Sequence, residues 1–208
     1  MSDACQALHE WARALPRFNH GFKTQDLPKN GIYLVFEKNE RSHSGERIVR
    51  VGTHTGQNNL GKRIFEHLYK PNKDRSVFRK HIGRCFLHND DFLNHWNLDC
   101  TTKKNKEKYG DLINFDKQAE IEEKVNEYIA KNFSFAVFKI DSKEDRLNIE
   151  EGLLSLLTKC EKCIPSPSWL GLKHQDKRIR QGLWNIQGLN GKPFSQDDII
   201  HFLKKDSI

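Results

Sequence analysis

The chain is poor in the features that mark secreted, membrane-spanning or metal-stapled proteins. Cysteine is sparse: Cys5, Cys85, Cys100, Cys160 and Cys163 form an odd set in irregular spacing. That pattern argues against a disulfide framework and for free thiols in a reducing compartment. Cys160-x-x-Cys163 has no second CxxC or CxxH pair with which to build a four-ligand zinc site. Cys100 or His174 are the candidates to complete one, yet nothing in the sequence fixes their distance, so two free thiols at a helix end is the favoured reading. No apolar run approaches the ~20 residues of a membrane span. Met1-Ser2-Asp3-Ala4-Cys5 lacks the basic and apolar regions of a secretory leader. The expected location is the cytoplasm, with no membrane partner. There is no internal repeat and no low-complexity tract.

Charge, by contrast, is plentiful. Charged residues make up 30% of the 208 positions and hydrophobic ones 36%, with a net charge of +7. A chain of this length buries a core without staples, and a basic balance favours a polyanionic partner. The excess is local. Lys62, Arg63, Lys70, Lys73, Arg75, Arg79, Lys80 and Arg84 face only Glu66 and Asp74 over the same stretch. A second basic cluster holds Lys173, His174, Lys177, Arg178 and Arg180. Lys62, Lys70, Arg79, Lys80, Arg84, Lys177 and Arg178 are therefore the expected phosphate-backbone contacts.

Periodicity supplies the elements. Ala4, Leu8, Trp11 and Leu15 predict a first helix stopped by Pro16. Ile32–Glu37 and Ile48–Thr53 are short β-rich runs joined by a turn-rich segment, which predicts a hairpin. Leu60, Ile64 and Leu68 mark one face of a helix that carries Arg63 and His67 four apart. A short basic helix is expected over 76–87. Residues 88–117 are the least patterned and read either as an inserted loop that touches substrate or as a disordered surface loop. A helix over 118–131, a buried strand over 133–140 and a helix over 143–159 capped at Asp141-Ser142 follow. The last helix is expected to start at Ser195 and to present Ile199, Ile200, Phe202 and Leu203.

Read in order, Gly31-Ile32-Tyr33, the hairpin end Arg50-Val51-Gly52, the helical Arg63 and a downstream Glu150 in Arg146-Leu147-Asn148-Ile149-Glu150-Glu151 resemble the GIY-YIG nuclease family. The resemblance covers roughly residues 28–165. It implies an α+β fold, an α/β sandwich with a small, mostly antiparallel three-stranded sheet flanked by helices. An N-terminal helical arm (1–27) and a C-terminal extension (166–208) would pack on the nuclease-like unit (28–165). The second motif departs from the family at Arg50, where a tyrosine is usual. Some members carry a lysine there, and some restriction-type members carry a histidine corresponding to His67.

The resemblance implies a metal-dependent endonuclease acting on DNA, with RNA left open as a substrate. Phosphodiester hydrolysis needs a deprotonated water, neutralised phosphoryl charge and a stabilised leaving oxygen. Tyr33 would serve as base or water-orienting group. Free Tyr has a pKa near ~10, so a base role needs cations nearby, and Arg50 can supply one. Arg63 suits the phosphate because its planar fork matches two oxygens. His67 would hydrogen-bond the phosphate or assist proton transfer. Glu150, or Glu151 if the register slips by one, would hold Mg2+ or Mn2+. Taken singly, each residue has an ordinary explanation: a packing aromatic, a solvated helix charge, a surface or satisfied core histidine, a carboxylate paired with Arg146 one turn away. A catalytically silent nucleic-acid-binding module on the same fold is the competing reading, and a basic protein-interaction domain is a third.

Overall fold

In the computed structural model, residues 2–205 are described. The class is α+β, as the sequence predicts. The chain runs α1 (Ser2–Ala14), β1 (Arg17–Phe18), β2 (Gly31–Ser42), β3 (Gly45–Gly52), α2 (Leu60–Leu68), α3 (Val77–Phe86), α4 (Leu93–Asn97) and α5 (Lys103–Tyr109). It continues with α6 (Phe115–Asn132), β4 (Phe133–Lys139), α7 (Lys143–Thr158), α8 (Lys177–Arg180) and α9 (Gln196–Lys205). Phe202 and Leu203, expected on the stripe of the last helix, have side chains outside the described residues.

The sheet has four strands in the order β1-β4-β2-β3, all antiparallel, rather than the three expected. The added strand is Arg17–Phe18, too short to carry a period of two. The hairpin is also longer than expected. β2 runs on to Ser42 through two irregularities in register, and the turn shrinks to His43-Ser44.

Strict alternation sorts β2 between two cores. Ile32, Leu34 and Phe36 face a layer built from α1 and α7, with Leu8, Leu153, Leu156 and Leu157. Tyr33 and Val35 face the opposite layer, with Ile64, Leu68, Phe78, Ile82, Val125 and Trp184. Side chains cap the helices: Ser76 accepts from Arg79 N and Ser142 from Asp145 N, while Asn114 accepts from Lys117 N and starts α6 at Phe115, three residues before the expected 118. Ser195 Oγ likewise accepts from Asp198 N at 3.1 Å.

Residues 88–117 are neither an open loop nor disordered. Leu87, Phe92, Leu93, Trp96 and Ile121 form a small core of their own. Trp96 packs against Gly83, where a Cβ would come within 2.2 Å of its ring. Two short helices, α4 and α5, are too brief to show helical spacing in the sequence. α7 buries Leu153, Leu156 and Leu157 but leaves Leu147 39% exposed.

β3 is an edge strand, and edges need cover. The segment after α8 supplies it. Trp184 N donates to Val49 O at 2.8 Å, while the Asn185 side chain accepts from Val51 N and donates to Val51 O. Trp184 and Trp169 both donate their indole N–H to Glu37, at 2.9 and 2.7 Å, and Tyr128 adds its hydroxyl. Burial pushes the Glu37 carboxyl up despite these three donors. No described helix is long and apolar enough to cross a membrane.

Candidate active site

The covered edge of β3 forms a cleft of about 290 Å3. Tyr33 from β2, Arg50 from β3, Arg63 from α2 and Glu150 from α7 all line it. Val77, His81 and Leu147 complete the walls with Trp184–Gly188. Residues from both layers of the sandwich therefore meet at one sheet edge.

The strand ends are shaped for this meeting. Tyr33 stands opposite Gly52 in the ladder, and a Cβ on Gly52 would lie 2.2 Å from the Tyr33 hydroxyl oxygen. Any larger residue at position 52 would push the phenol off the sheet. The Thr53 hydroxyl donates to Gly31 O at 2.8 Å, holding the end of β3 to the start of β2.

Arg50 is buried. Its Nη1 donates to Trp184 O at 2.8 Å, Nη2 stands 3.5 Å from the Tyr33 hydroxyl, and Nε has no hydrogen-bond partner. Among the described residues no carboxylate lies within ion-pair distance of it. Arg63 Nη1 donates to Arg75 O at 3.0 Å and reaches Glu66 at 3.4 Å.

Burial pushes the Glu150 carboxyl up, opposed by Arg50, the backbone N–H of Thr53 and Arg63. Arg146, its potential partner one turn back, instead donates to Ile140 O and Asp141 O. Glu151 also lines the cleft but is exposed. Glu150 is thus a hard oxygen donor without a structural ion pair. A single carboxylate with room for waters and phosphate oxygens fits the habits of Mg2+.

His67 differs from expectation. It lies beneath Tyr33, with ring centroids 5.9 Å apart, and does not line the cleft. Its Nδ1 is 2.7 Å from Ser76 Oγ and its Nε2 has no partner. Burial, aided by Arg50, Arg63 and Arg79, holds its pKa well below the usual histidine range, so the ring is neutral. The cause is α2's pitch: His67 follows Ile64 by three residues and Leu60 by seven, which turns it inward.

His81 belongs to no pattern that marks it in the sequence. Asp176 N donates to His174 Nδ1 at 2.9 Å, so the His174 proton sits on Nε2. That Nε2 is 2.9 Å from His81 Nδ1, which also faces Arg84 Nη1 at 3.2 Å. Two donors on Nδ1 place the His81 proton on Nε2, an atom that is buried and has no partner in the wall of the cleft. Burial and then His174 bring the His81 pKa down to about 2, and burial brings that of His174 down to about 4.

The expected phosphate track is only partly at the surface. Arg79 is fully buried and holds Glu122 through Nε at 3.1 Å and Nη2 at 2.8 Å. It shares the inward face of α3 with Ile82, one turn on, and no phosphate reaches it. Lys80 is partly buried against Asp74, and Arg84 Nε donates to Asn97 at 2.7 Å. Arg178 clamps Asp176 at 2.6 Å. Lys62, Lys70 and Lys177 are exposed.

A family model described as the GIY-YIG domain matches residues 3–203. No curated protein and no solved structure matches the chain. The match runs from within α1 to within α9, taking in both β-strands and helices that wall the cleft, and so the chain belongs to the GIY-YIG nuclease family.

Proposed function

We propose that the protein is a metal-dependent endonuclease that hydrolyses DNA phosphodiester bonds in this cleft. One observation carries the reading: Tyr33, Arg50, Arg63 and Glu150, from four separate elements, line a single cavity. A phosphate entering it meets two guanidinium groups. Arg63 exchanges its carbonyl and Glu66 contacts for phosphate oxygens, as a half-exposed fork on a helix is able to do. Arg50 cannot leave, because Trp184 O holds one of its nitrogens, and so it supplies a fixed positive charge beside the phenol.

Tyr33 stays in place through its packing on Gly52, and its oxygen orients the attacking water or takes its proton. The His81 Nε2–H is a neutral donor fixed by the His174 relay, suited to an oxygen on which charge develops. His67 acts from below as a packing and positioning group for Tyr33. Glu150 would hold Mg2+ or Mn2+, which would polarise the phosphate and stabilise the leaving oxygen. The exposed Lys62, Lys70 and Lys177 add a salt-sensitive contribution to backbone binding.

The test is a gel assay with plasmid and single-stranded DNA, with and without Mg2+. Metal-dependent product is expected, reduced ~10^2–10^4-fold in Glu150→Ala and Arg63→Ala proteins that keep their folded circular dichroism. Cleavage surviving both substitutions overturns the assignment. Salt-sensitive binding with no product under either metal would identify a silent binding module instead.

A further inference from the structure

At the far end of the β2–β3 hairpin lies a second cluster of chemistry-bearing side chains. We infer that Cys5, His43, Cys160 and Cys163 form a structural Zn2+ site with three thiolates and one imidazole. The partners of the CxxC pair are Cys5 and His43, not Cys100 or His174. Their ligand atoms all lie within 4.8 Å of one another. Cys5 Sγ is 3.4 Å from Cys163 Sγ, and His43 Nε2 is 3.3 Å from Cys160 Sγ and 3.6 Å from Cys163 Sγ. A tetrahedral zinc ion needs ligand atoms about 3.5–3.8 Å apart, given Zn–S near ~2.3 Å and Zn–N near ~2.0–2.1 Å. These three edges match within a few tenths of an ångström, and the remaining ones, none longer than 4.8 Å, close around one ion with shifts of about 1 Å at most.

The surroundings select the same four groups. His9 lies near, at 4.0 Å from Cys163 Sγ, but both its nitrogens serve the backbone: Nδ1 meets Cys5 O at 2.8 Å and Nε2 meets Ile48 N at 3.2 Å. It cannot be a further ligand. His43 is delivered by the backbone at a cost. His43 and Ser44 both sit in the left-handed region, with φ of 48° and 61°, in a two-residue hairpin turn that favours Asn-Gly. Strain of this kind points to a held function, and here it turns the imidazole toward the thiols. All five cysteines are free, and Cys5, Cys160 and Cys163 are buried.

Binding replaces thiol protons, which leave to solvent, with metal–sulfur bonds, and no electron moves. Four protein ligands leave no open position, so the ion is structural. It pins α1, the hairpin tip and the turn after α7 together, reinforcing the Arg13–His43 O and Ser42–Lys162 O hydrogen bonds that already join them. Tyr33 and Ser42 are nine residues apart on β2, on the order of 30 Å in a regular strand, so this site is separate from the cleft.

The full-length protein, purified without chelator, should carry about one zinc per chain by plasma mass spectrometry. The Co2+-reconstituted protein should show a thiolate-to-cobalt charge-transfer band and the strong d–d bands of a tetrahedral ion. Cys163→Ser should lose the metal. Because that variant removes a buried side chain, a pair at the half-buried hairpin turn provides the control. His43→Cys should retain the ion as a four-thiolate site, and His43→Ala should release it to a competing chelator at least tenfold more readily. Zinc below about a tenth of an equivalent together with no cobalt charge-transfer band overturns the proposal. So does a Cys5–Cys163 disulfide, seen as a mass lower by two daltons. None of these readouts involves DNA, so loss of the nuclease reading leaves them unaffected.

Discussion

Two buried arginines on β3 stand three residues apart and do opposite things. Arg47 is matched: Nη2 is 2.5 Å from Glu40, Nη1 donates to Gly182 O, and its side chain is fully enclosed. Arg50 is unmatched by any carboxylate at ion-pair distance among the described residues, and the space before it is open cleft. Arg79 repeats the first pattern with Glu122. A buried charge beside its counter-ion belongs to the scaffold, whereas a buried charge that faces an open cleft is held ready for an anion from outside. In the sequence Arg79 reads as part of a basic surface, and nothing local marks it as scaffold.

Substitutions separate the two kinds of arginine. The largest effect is expected on the scaffold side. Arg47→Met strands Glu40, whose oxygens also hold Ser166, and should cost about 3–5 kcal/mol in denaturant unfolding while the surviving folded fraction keeps its specific activity. Arg50→Met should do the reverse, lowering kcat about 10^2–10^3-fold with the urea midpoint unchanged or raised. If Arg50→Met unfolds the protein, the distinction fails.

A third outcome concerns pH. The folded pKa of Glu150 is raised above its unfolded value, so its ionised form weakens the fold at pH 7, and stability returns as pH falls through the folded pKa. Glu150→Gln should therefore raise Tm at pH 7, and the gain should vanish by about pH 3, well below the unfolded glutamate pKa of about 4.3, where both states are protonated. Wild-type cleavage should fail on acidification at a higher pH than an ordinary carboxylate would dictate. The smallest effect belongs to the exposed lysines. Lys62→Ala or Lys70→Ala should each reduce the slope of log affinity against log salt by about one at most, whereas removing the already engaged Arg178 should change it less.

Much of the cleft was legible because its residues sit on elements with strong periodicity. β2, β3, α2 and α7 follow from alternation, helical stripes and the cap at Ser142, and the order Tyr33, Arg50, Arg63, Glu150 carried the family resemblance. What stayed hidden depends on partners distant in the chain. His81 becomes a donor only through His174, 93 positions on. Arg79 leaves the surface only because α6 brings Glu122 beneath it. His67 shows helical spacing that fits either a surface or a buried face, and only packing under Tyr33 decides. Cys5 and His43 share no local pattern with Cys160-x-x-Cys163, and β1 is two residues long.

The cover over β3 bears on when the cleft is completed during synthesis. Trp184 supplies the carbonyl that holds Arg50, and Asn185 secures the strand beside it. A ribosome that has made Tyr33, Arg63 and even Glu150 has not yet made the wall against which they work. The cleft is therefore complete only once the segment carrying Trp184 and Asn185 has been made and has folded onto β3.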